Sequence, residues 1–296
     1  MPVTYSIVHT TIYDYHSPVT FGEHRVLFRP RDSHDLRVLA TDLQVSPEAD
    51  IKMIQDTYSN SIALVYPRGE ATQLKIVCSF TIDHAHSQNL ELPLLPTAEL
   101  FPFSYSVDER IDLEPFMRPH YEDPDGVLAH WARNFLSDNG PTYTRNVLVA
   151  MNQSIRDNFA YAARIDEGTQ SPVETLNLGA GSCRDFAVLM MEAARNLGIA
   201  TRFVSGYLYD PTLDQAADGG EAVVGSGSTH AWLHAYLPGA GWVPFDPTNN
   251  LLGGTNLIRV GVARDARQAV PISGSWDGPD DAFNKLTVNV SVTRRG

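Results

Sequence analysis

The chain has 296 residues, of which 43% are hydrophobic and 19% charged, and its 35 acidic against 22 basic residues give a net charge near −13. This length is enough for one large or two ordinary domains with buried cores, which argues against a disordered or low-complexity chain. The acidic excess and the lack of a Lys/Arg run argue against nucleic acid and anionic membranes as partners.

Cysteine usage and the first residues indicate the compartment. Cys78 and Cys183 are the only cysteines, too few for a disulfide framework and too isolated for a structural zinc site of the CxxC type. Residues 1–15 alternate in polarity without a basic region and apolar core, which is typical of a strand and not of a signal peptide. No apolar run approaches the ~18 residues of a membrane span. We therefore expect a cytoplasmic protein.

Residues 1–90 carry period-two patterns broken by Pro and Asp, which predict an antiparallel β-sandwich domain. The clearest strand places its apolar residues on one face and its polar residues on the other; the apolar ones are Leu74, Ile76, Cys78, Phe80 and Ile82. Cys78 is therefore expected to be an inert core residue.

A Pro-rich stretch over residues 91–124 predicts an extended connection packed on both halves, because its six prolines interrupt regular structure. Beyond it, residues 125–296 show helical periodicity first and strand patterns later. The predicted fold class is α+β, with a mixed second domain after the sandwich.

Two consecutive helices are predicted around Cys183. Ser171-Pro-Val-Glu174 is a helix start, and Gly179 ends that helix. The next helix begins after Ser182, with Asp185 three residues on, and ends at Gly198. Cys183 then lies in the first turn, where free N–H groups and the helix dipole favour a thiolate. The alternative from position alone is that Cys183 fills space as Cys78 does.

A hairpin downstream supplies the groups that a cysteine nucleophile needs. An imidazole has to hold the thiolate and protonate the leaving amine, and a carboxylate has to fix the tautomer of the imidazole. His230 and Asp246 lie on the two predicted strands of Thr229–Asn250. Pairing Tyr236 with Trp242 places both side chains on one face, so the hypothesis predicts an odd-numbered loop or a bulge at the turn.

These segments resemble the bacterial transglutaminase-like proteins, which are related in fold to papain-like cysteine proteases. The resemblance rests on the Gly-x-Cys-Arg-Asp-Phe-Ala helix, the Gly198–Leu208 strand, the His-Ala-Trp strand and the Gly-Trp-Val-Pro-Phe-Asp-Pro-Thr strand. Residues 1–90 also resemble the β-rich N-terminal domain of bacterial members. The resemblance implies that Cys183 is the nucleophile, His230 the acid/base and Asp246 the orienting carboxylate.

The implied reaction is attack of Cys183 on an amide carbonyl to form a thioester, which an amine or water resolves. The Cys183 backbone N–H is one oxyanion donor, and Tyr161 resembles a family aromatic position that could supply another. Trp232 is a further candidate contact for the oxyanion or substrate. A core role for Tyr161 remains the alternative.

Three histidines invite a metal site. His234 stands where many relatives carry an acidic residue and is interpreted as a satisfied or solvated strand histidine, since four residues along a strand span ~13 Å, too far for His230 and His234 to share one metal. His84 and His86 are interpreted as surface histidines. No metal or cofactor is expected, and residues 209–228 are predicted to form a flap beside the site.

The sequence thus predicts a cysteine acyltransferase or amidohydrolase that acts on a protein or peptide substrate. Two alternatives stay open: a papain-like cysteine protease, and a non-catalytic scaffold in which the sandwich recognises a protein partner.

Overall fold

The computed structural model describes residues 2–85, 92–164, 168–210, 227–254 and 256–295. Strands and helices are mixed in these ranges, as the predicted α+β class requires. The helices are α1 (Val107–Met117), α2 (Val127–Arg133), α3 (Thr144–Asn158), α4 (Pro172–Leu178) and α5 (Cys183–Asn196), with short 3-10 turns at Pro96–Ala98 and Ala266–Ala269. The strands are β1 (Val3–Arg29), β2 (Leu36–Ser46), β3 (Ala49–Gln55), β4 (Ser61–Pro67), β5 (Glu70–His84), β6 (Leu100–Phe101), β7 (Thr142–Tyr143), β8 (Ala160–Tyr161), β9 (Ala180–Gly181), β10 (Thr201–Leu208), β11 (Thr229–Leu237), β12 (Gly241–Asp246), β13 (Leu251–Leu252), β14 (Leu257–Ala263), β15 (Ile272–Asp277) and β16 (Phe283–Arg295).

The first 85 residues form most of one large antiparallel sheet. Its described strands run in the order β2-β5-β1-β4-β3, and β15 and β16 also pair with β1. The long strand β1 pairs with β5 and β16 along its first half and with β4 and β15 along its second half. Pairing with β5 is interrupted between Asp14 and Val19, where Pro18 lacks the N–H that a ladder needs.

The predicted sandwich is not confirmed, because hydrogen bonds through β1 link these strands into a single seven-stranded sheet among the described residues. Alternation along a strand shows which face is buried, but it does not show which strands pair. The inward face is as predicted: Cys78 is fully buried in a cluster with Val26, Val65, Leu74 and Ile76.

The C-terminal strands return to this N-terminal sheet. β16 pairs with β1 from Thr4↔Arg295 to Tyr15↔Phe283, and β15 pairs with residues 20–26 of β1. The domain limits of 1–90, 91–124 and 125–296 stay a prediction, but the last strands of the third segment are hydrogen-bonded to the first.

The Pro-rich connection is less extended than expected because it contains helix α1. Ser106 and Glu109 form a capping box that starts the helix, and Pro115, which cannot donate to the carbonyl one turn back, lies two residues before the helix ends at Met117. The ring of Phe116 lies 6.2 Å from that of Tyr58 in the N-terminal half and 5.3 Å from that of Trp242 in the second half. The helix therefore packs on both halves.

The second sheet has the order β13-β12-β11-β10-β14 and carries α5 on one side. Phe186, Met190 and Ala193 of α5 pack into one core with Phe203 and other apolar residues of the sheet. Both predicted helix starts are confirmed: α4 begins after Ser171 with its capping box, and α5 begins after Ser182.

A polar pair is buried within α5. Arg195 Nη1 donates to Glu192 Oε1 at 2.6 Å, and the guanidinium also donates to the carbonyl oxygens of Phe116, Thr201 and Arg264. A buried ion pair is tolerated when further hydrogen bonds replace the lost water. Arg195 thereby links α5 to the end of α1, to the start of β10 and to the residue that follows β14.

Among the described residues, no helix combines the length and apolar composition needed to cross a bilayer.

Two polar contacts join the sheets. Asn60 Nδ2 donates to the Val262 carbonyl at 2.7 Å, and the Val262 N–H donates to Asn60 Oδ1 at 3.0 Å, so one amide occupies both backbone groups. His9 Nδ1 lies 2.9 Å from Tyr207 Oη, and Thr11 Oγ1 lies 3.0 Å from His9 Nε2. Burial lowers the pKa of His9 to about 4, so the imidazole is neutral at pH 7.

We expect Asn60→Ala to lower the free energy of unfolding by about 2–4 kcal/mol, because it leaves a buried N–H and a buried carbonyl without partners. Urea denaturation measures this change. The exposed amide variant Gln44→Ala is the control and should change stability little. If both variants lose the same amount, Asn60 does not join the sheets energetically.

Candidate active site

The nucleophile candidate Cys183 is the first residue of α5 and is 7% exposed. The strand before it, β9, pairs in parallel with β8, so that Tyr161 lies opposite Gly181. A Cβ at position 181 would lie 2.9 Å from the Asp185 Cβ, which explains why glycine is needed where the strand meets the helix. These short strands place Tyr161 beside the start of the helix.

Asp185 organises the turn that holds Cys183. Its carboxylate is fully buried and accepts hydrogen bonds from the backbone N–H and Oγ of Ser182, both at 2.8 Å. It also accepts from the Gln170 N–H at 2.7 Å and from Arg164 Nη1 at 3.0 Å. The capping spacing predicted the bonds to Ser182, but it did not reveal those to Gln170 and Arg164, because both partners lie upstream of α4.

The β11–β12 hairpin has the register that the site requires. Tyr236 pairs with Trp242 and Leu233 with Phe245, and residues 238–240 form a three-residue loop. This confirms the predicted odd-numbered connection. At Gly239, φ is +93°, and a Cβ would lie 2.5 Å from the Pro93 carbonyl oxygen, so glycine is favoured both by conformation and by close packing.

His230 and Asp246 face each other in this register. His230 Nε2 lies 2.8 Å from Asp246 Oδ2, and both side chains are buried. The second ring nitrogen, Nδ1, has no hydrogen-bond partner by ordinary distance and angle among the described residues. Cys183 lies close enough to the imidazole to raise its pKa. The three predicted residues are thus brought together, with the imidazole between the thiol and the carboxylate.

The turn after β12 holds the carboxylate in place. The Thr248 N–H donates to Asp246 Oδ1 at 3.0 Å, and Asn249 Nδ2 donates to Oδ2 at 2.9 Å. Sequence analysis assigned no role to either residue. The Asp-Pro-Thr-Asn order was the available signal, since an Asp side chain commonly accepts from the backbone two residues on.

Electrostatics favour a charged pair in this buried site. Burial by itself lowers the pKa of His230, but the charge and hydrogen bond of Asp246, together with Cys183, outweigh burial and raise it to about 10. Burial raises the pKa of Asp246, yet the charge of His230 and the hydrogen bonds from His230, Asn249 and Thr248 bring it below its usual range. An imidazolium paired with the Asp246 carboxylate is therefore stable here at pH 7.

Trp232 and His234 follow His230 on the same strand. The Trp232 ring stacks on His230 with centroids 5.9 Å apart and an interplanar angle of 25°. Trp232 is 1% exposed, and its stacking on the imidazole supports a role in positioning His230. His234 Nδ1 lies 3.1 Å from Arg202 Nη2, and burial followed by the charges of Arg202 and Arg259 lowers its pKa well below the usual value. His234 is thus a satisfied strand histidine, as expected.

Tyr161 is 41% exposed and lies beside the nucleophile. Burial, and next the charge of Cys183, raise the pKa of Tyr161 to about 12, so the phenol keeps its proton and can donate a hydrogen bond. An oxyanion donor has to lie close to the nucleophile, as Tyr161 does.

The remaining predictions concern His84, His86, the flap and metal binding. His84 is buried and not on the surface, because it continues the inward-facing series of β5 and packs near Tyr5. His86 and residues 211–226, most of the predicted flap, lie outside the described residues. Within the described ranges, no three His, Cys, Asp or Glu side chains converge as metal ligands.

Comparison with known families agrees with this arrangement. Residues 129–247 match the transglutaminase-like superfamily, and residues 5–83 match the bacterial transglutaminase-like N-terminal region. The chain is a bacterial transglutaminase-like protein, with a transglutaminase-like core that contains Cys183, His230 and Asp246.

Relatives of nearly the same length exist in mycobacteria. The uncharacterized protein ML0607 of Mycobacterium leprae is 28% identical over 97% of this chain and 98% of its own length. The uncharacterized protein Rv2569c of Mycobacterium tuberculosis is 28% identical over 91% of this chain and 86% of its own length. Among solved structures, one described as "a Putative Cysteine Protease" from Cytophaga hutchinsonii has a TM-score of 0.69 at 21% identity and covers all of this chain and 91% of that one, which shows a shared fold.

We expect Asp246→Asn to lower the free energy of unfolding by an amount that varies with pH. The lowered pKa of Asp246 stabilises the fold above its ordinary value of 3.8, and this contribution is lost as the pH falls through the folded-state pKa. The raised pKa of His230 stabilises the fold fully below 6.5, and this contribution declines as the pH rises and is gone above about 10. The loss should therefore be largest near about pH 5–6 and smaller near about pH 9.

Urea denaturation at these pH values measures the loss. The exposed carboxylate variant Asp108→Asn controls for changes in net charge. A loss for Asp246→Asn that is constant across this range would contradict the charged pair.

Proposed function

We propose that the protein is a cysteine-dependent enzyme that transfers or hydrolyses the acyl group of protein or peptide amides. The observation that carries the proposal is the buried hydrogen bond between His230 and Asp246, with Cys183 beside the imidazole at the start of α5. Membership of the transglutaminase-like superfamily supports the same chemistry. A glutamine side chain is the acyl donor that the resemblance favours.

The proposed reaction has two halves. The Cys183 thiolate attacks the amide carbonyl, a C–S bond forms, and the C–N bond breaks as His230 gives its proton to the departing amine. An amine or water then attacks the thioester carbonyl, gives its proton to His230, and releases the thiolate. Asp246 keeps the imidazole oriented and stabilises its charged form in both halves.

Stabilisation of the oxyanion is assigned to two donors. The Cys183 backbone N–H lies at the helix start, where it is not used by a preceding helical turn. We propose the Tyr161 phenol as the second donor, supported by its exposure and by its electrostatic contact with Cys183. Trp232 is proposed to act on the reaction by holding the His230 ring.

Two alternatives remain under this proposal. A papain-like protease would use the same three residues on backbone amides, and the structural similarity to the Cytophaga hutchinsonii protein extends to the whole chain. A scaffold that binds a protein partner without turnover would not need the charged pair between His230 and Asp246.

We also propose a cytoplasmic location, because two isolated cysteines provide no disulfide framework.

We expect iodoacetamide to alkylate Cys183 about 100-fold faster than Cys78 at about pH 6, where an unperturbed thiol is under ~1% thiolate. Cys78 is the internal control, because burial raises the pKa of its thiol to about 12. Peptide mass spectrometry of time points gives both rates. His230→Ala should slow Cys183 labelling about tenfold or more, since it removes the counter-ion of the thiolate.

Equal slow labelling of both cysteines would contradict an activated Cys183. Fast labelling that survives His230→Ala would show a reactive thiol that does not depend on the imidazole.

We expect the protein to incorporate a labelled primary amine into a glutamine-rich acyl-donor protein and to lose this activity completely in Cys183→Ala, because no thioester can form. Mass spectrometry distinguishes the products: amine adducts on glutamine mean transfer, conversion of glutamine to glutamate means hydrolysis, and new termini mean proteolysis. Binding of the glutamine-rich protein by wild type and Cys183→Ala alike, with no product of any kind, would favour the scaffold.

A further inference from the structure

A cavity lies away from Cys183, where three parts of the fold meet. It measures about 370 Å³ and is bounded by α1, by the turn between β3 and β4, and by the second sheet through Arg202 and Trp242. Ligand sites in proteins commonly begin at about 300 Å³ and occur where structural units meet. None of the residues proposed for catalysis lines this cavity.

The cavity contains a partly buried cation, Arg202, without a counter-ion among the described residues. Arg202 has no carboxylate within ion-pair distance among the described residues. Its Nε and Nη2 lie 3.3 and 3.1 Å from His234 Nδ1, and its Cζ lies 4.3 Å from the centre of the Trp242 ring. His234 is neutral because of burial, so it accepts from the guanidinium and fixes its orientation.

Nearby charges increase the need for an anion at this point. Burial, and then the charges of Arg259 and Arg31, lower the pKa of Arg202 to about 9. A cation that is desolvated and close to like charges is unfavourable unless an anion pairs with it. Nε and Nη2 of Arg202 are engaged by His234, and one face of the guanidinium covers the Trp242 ring. Nη1 makes no hydrogen bond among the described residues and is available to a carboxylate.

The opposite wall is acidic. Helix α1 contributes Glu109 and Asp112, one helical turn apart. Glu109 is engaged, since it accepts from the Ser106 N–H at 3.0 Å and from Tyr236 Oη at 3.1 Å. Asp112 is exposed at the edge of the cavity and makes no hydrogen bond or ion pair within the described residues. A purely anionic ligand would be repelled by this wall, whereas a ligand that also carries an ammonium group would be attracted.

Aromatic rings form the space between the two charged walls. Phe116 and Tyr236 contact the Trp242 ring edge-on with centroids 5.3 and 5.4 Å away, and Tyr58 lies 6.2 Å from Phe116. These rings belong to α1, to the hairpin and to the N-terminal half. They offer an apolar surface that a hydrocarbon or aromatic side chain would cover favourably.

We propose that this cavity binds a small zwitterion of the amino-acid type with an apolar or aromatic side chain. Its carboxylate pairs with Arg202, its ammonium group faces Asp112, and its side chain packs among Phe116, Tyr236 and Trp242. The site is separate from the proposed catalytic residues, so its occupancy does not depend on whether Cys183 is a nucleophile.

Isothermal titration calorimetry of the full chain with L-phenylalanine tests the proposal. We expect saturable one-site binding with a Kd of about 1 mM or tighter. Phenylalaninamide lacks the carboxylate and N-acetyl-phenylalanine lacks the ammonium group, so each should bind at least about tenfold more weakly. Because this binding does not require a reaction at Cys183, the Cys183→Ala variant should bind L-phenylalanine as wild type does.

Variants assign the binding to the cavity. Arg202→Lys keeps the charge but loses the fork and should weaken binding about tenfold. Asp112→Asn should remove the preference for L-phenylalanine over N-acetyl-phenylalanine, and because this residue is exposed the variant should fold normally. Asp108→Asn on the same helix and the exposed Arg68→Gln are matched controls that should bind as wild type does.

The absence of saturable L-phenylalanine binding up to about ten times the expected Kd would overturn the proposal. Equal binding of phenylalaninamide, or wild-type binding by both Arg202→Lys and Asp112→Asn, would also overturn it. Absence of any transfer or hydrolysis product, together with retained L-phenylalanine binding, would contradict the proposed catalysis and leave this site standing.

Discussion

The hydrogen bond between His230 and Asp246 crosses from β11 to β12, so it exists only in one register of that hairpin. A shift of one residue would move Asp246 to the opposite face of the sheet. The register is held by the three-residue loop, in which Gly239 has a positive φ and packs directly against Pro93. The Pro-rich connection therefore takes part in positioning the site, although it lies far from it in sequence.

Buried charged side chains elsewhere in the core also hold separate segments together through hydrogen bonds. Asp185 holds the start of α5 and the segments around Arg164 and Gln170, while Arg195 ties the far end of α5 to three carbonyl oxygens. Each of these groups has several hydrogen-bond partners, which is the condition under which buried charge is tolerated. Arg202 differs from them, because its partners within the described part of the chain are a neutral imidazole and an aromatic ring.

The N-terminal sheet and the transglutaminase-like core are connected by more than the chain between them. β15 and β16 leave the core and pair with β1, and Asn60 occupies both backbone groups of Val262 in β14. The His9–Tyr207 contact adds a second buried polar link. These links give the β10–β14 edge of the second sheet a fixed neighbour. They also create the cavity at Arg202, where the two sheets meet α1.

The sequence by itself determined the local features: the starts of α4 and α5, the inward face of β5 with Cys78, the odd-numbered hairpin loop and the grouping of Cys183, His230 and Asp246. These follow from capping residues, alternation and short loops, which act over a few residues, and from the resemblance that related the three residues to one another. Only the tertiary structure decided that β1 joins the strands into one sheet, that the last strands return to it, and that Gln170, Arg164 and Asn249 complete the site. Those pairings join residues that are distant in sequence or whose bonds depend on burial, and neither strand partners nor buried charge contacts leave a periodic pattern along the chain.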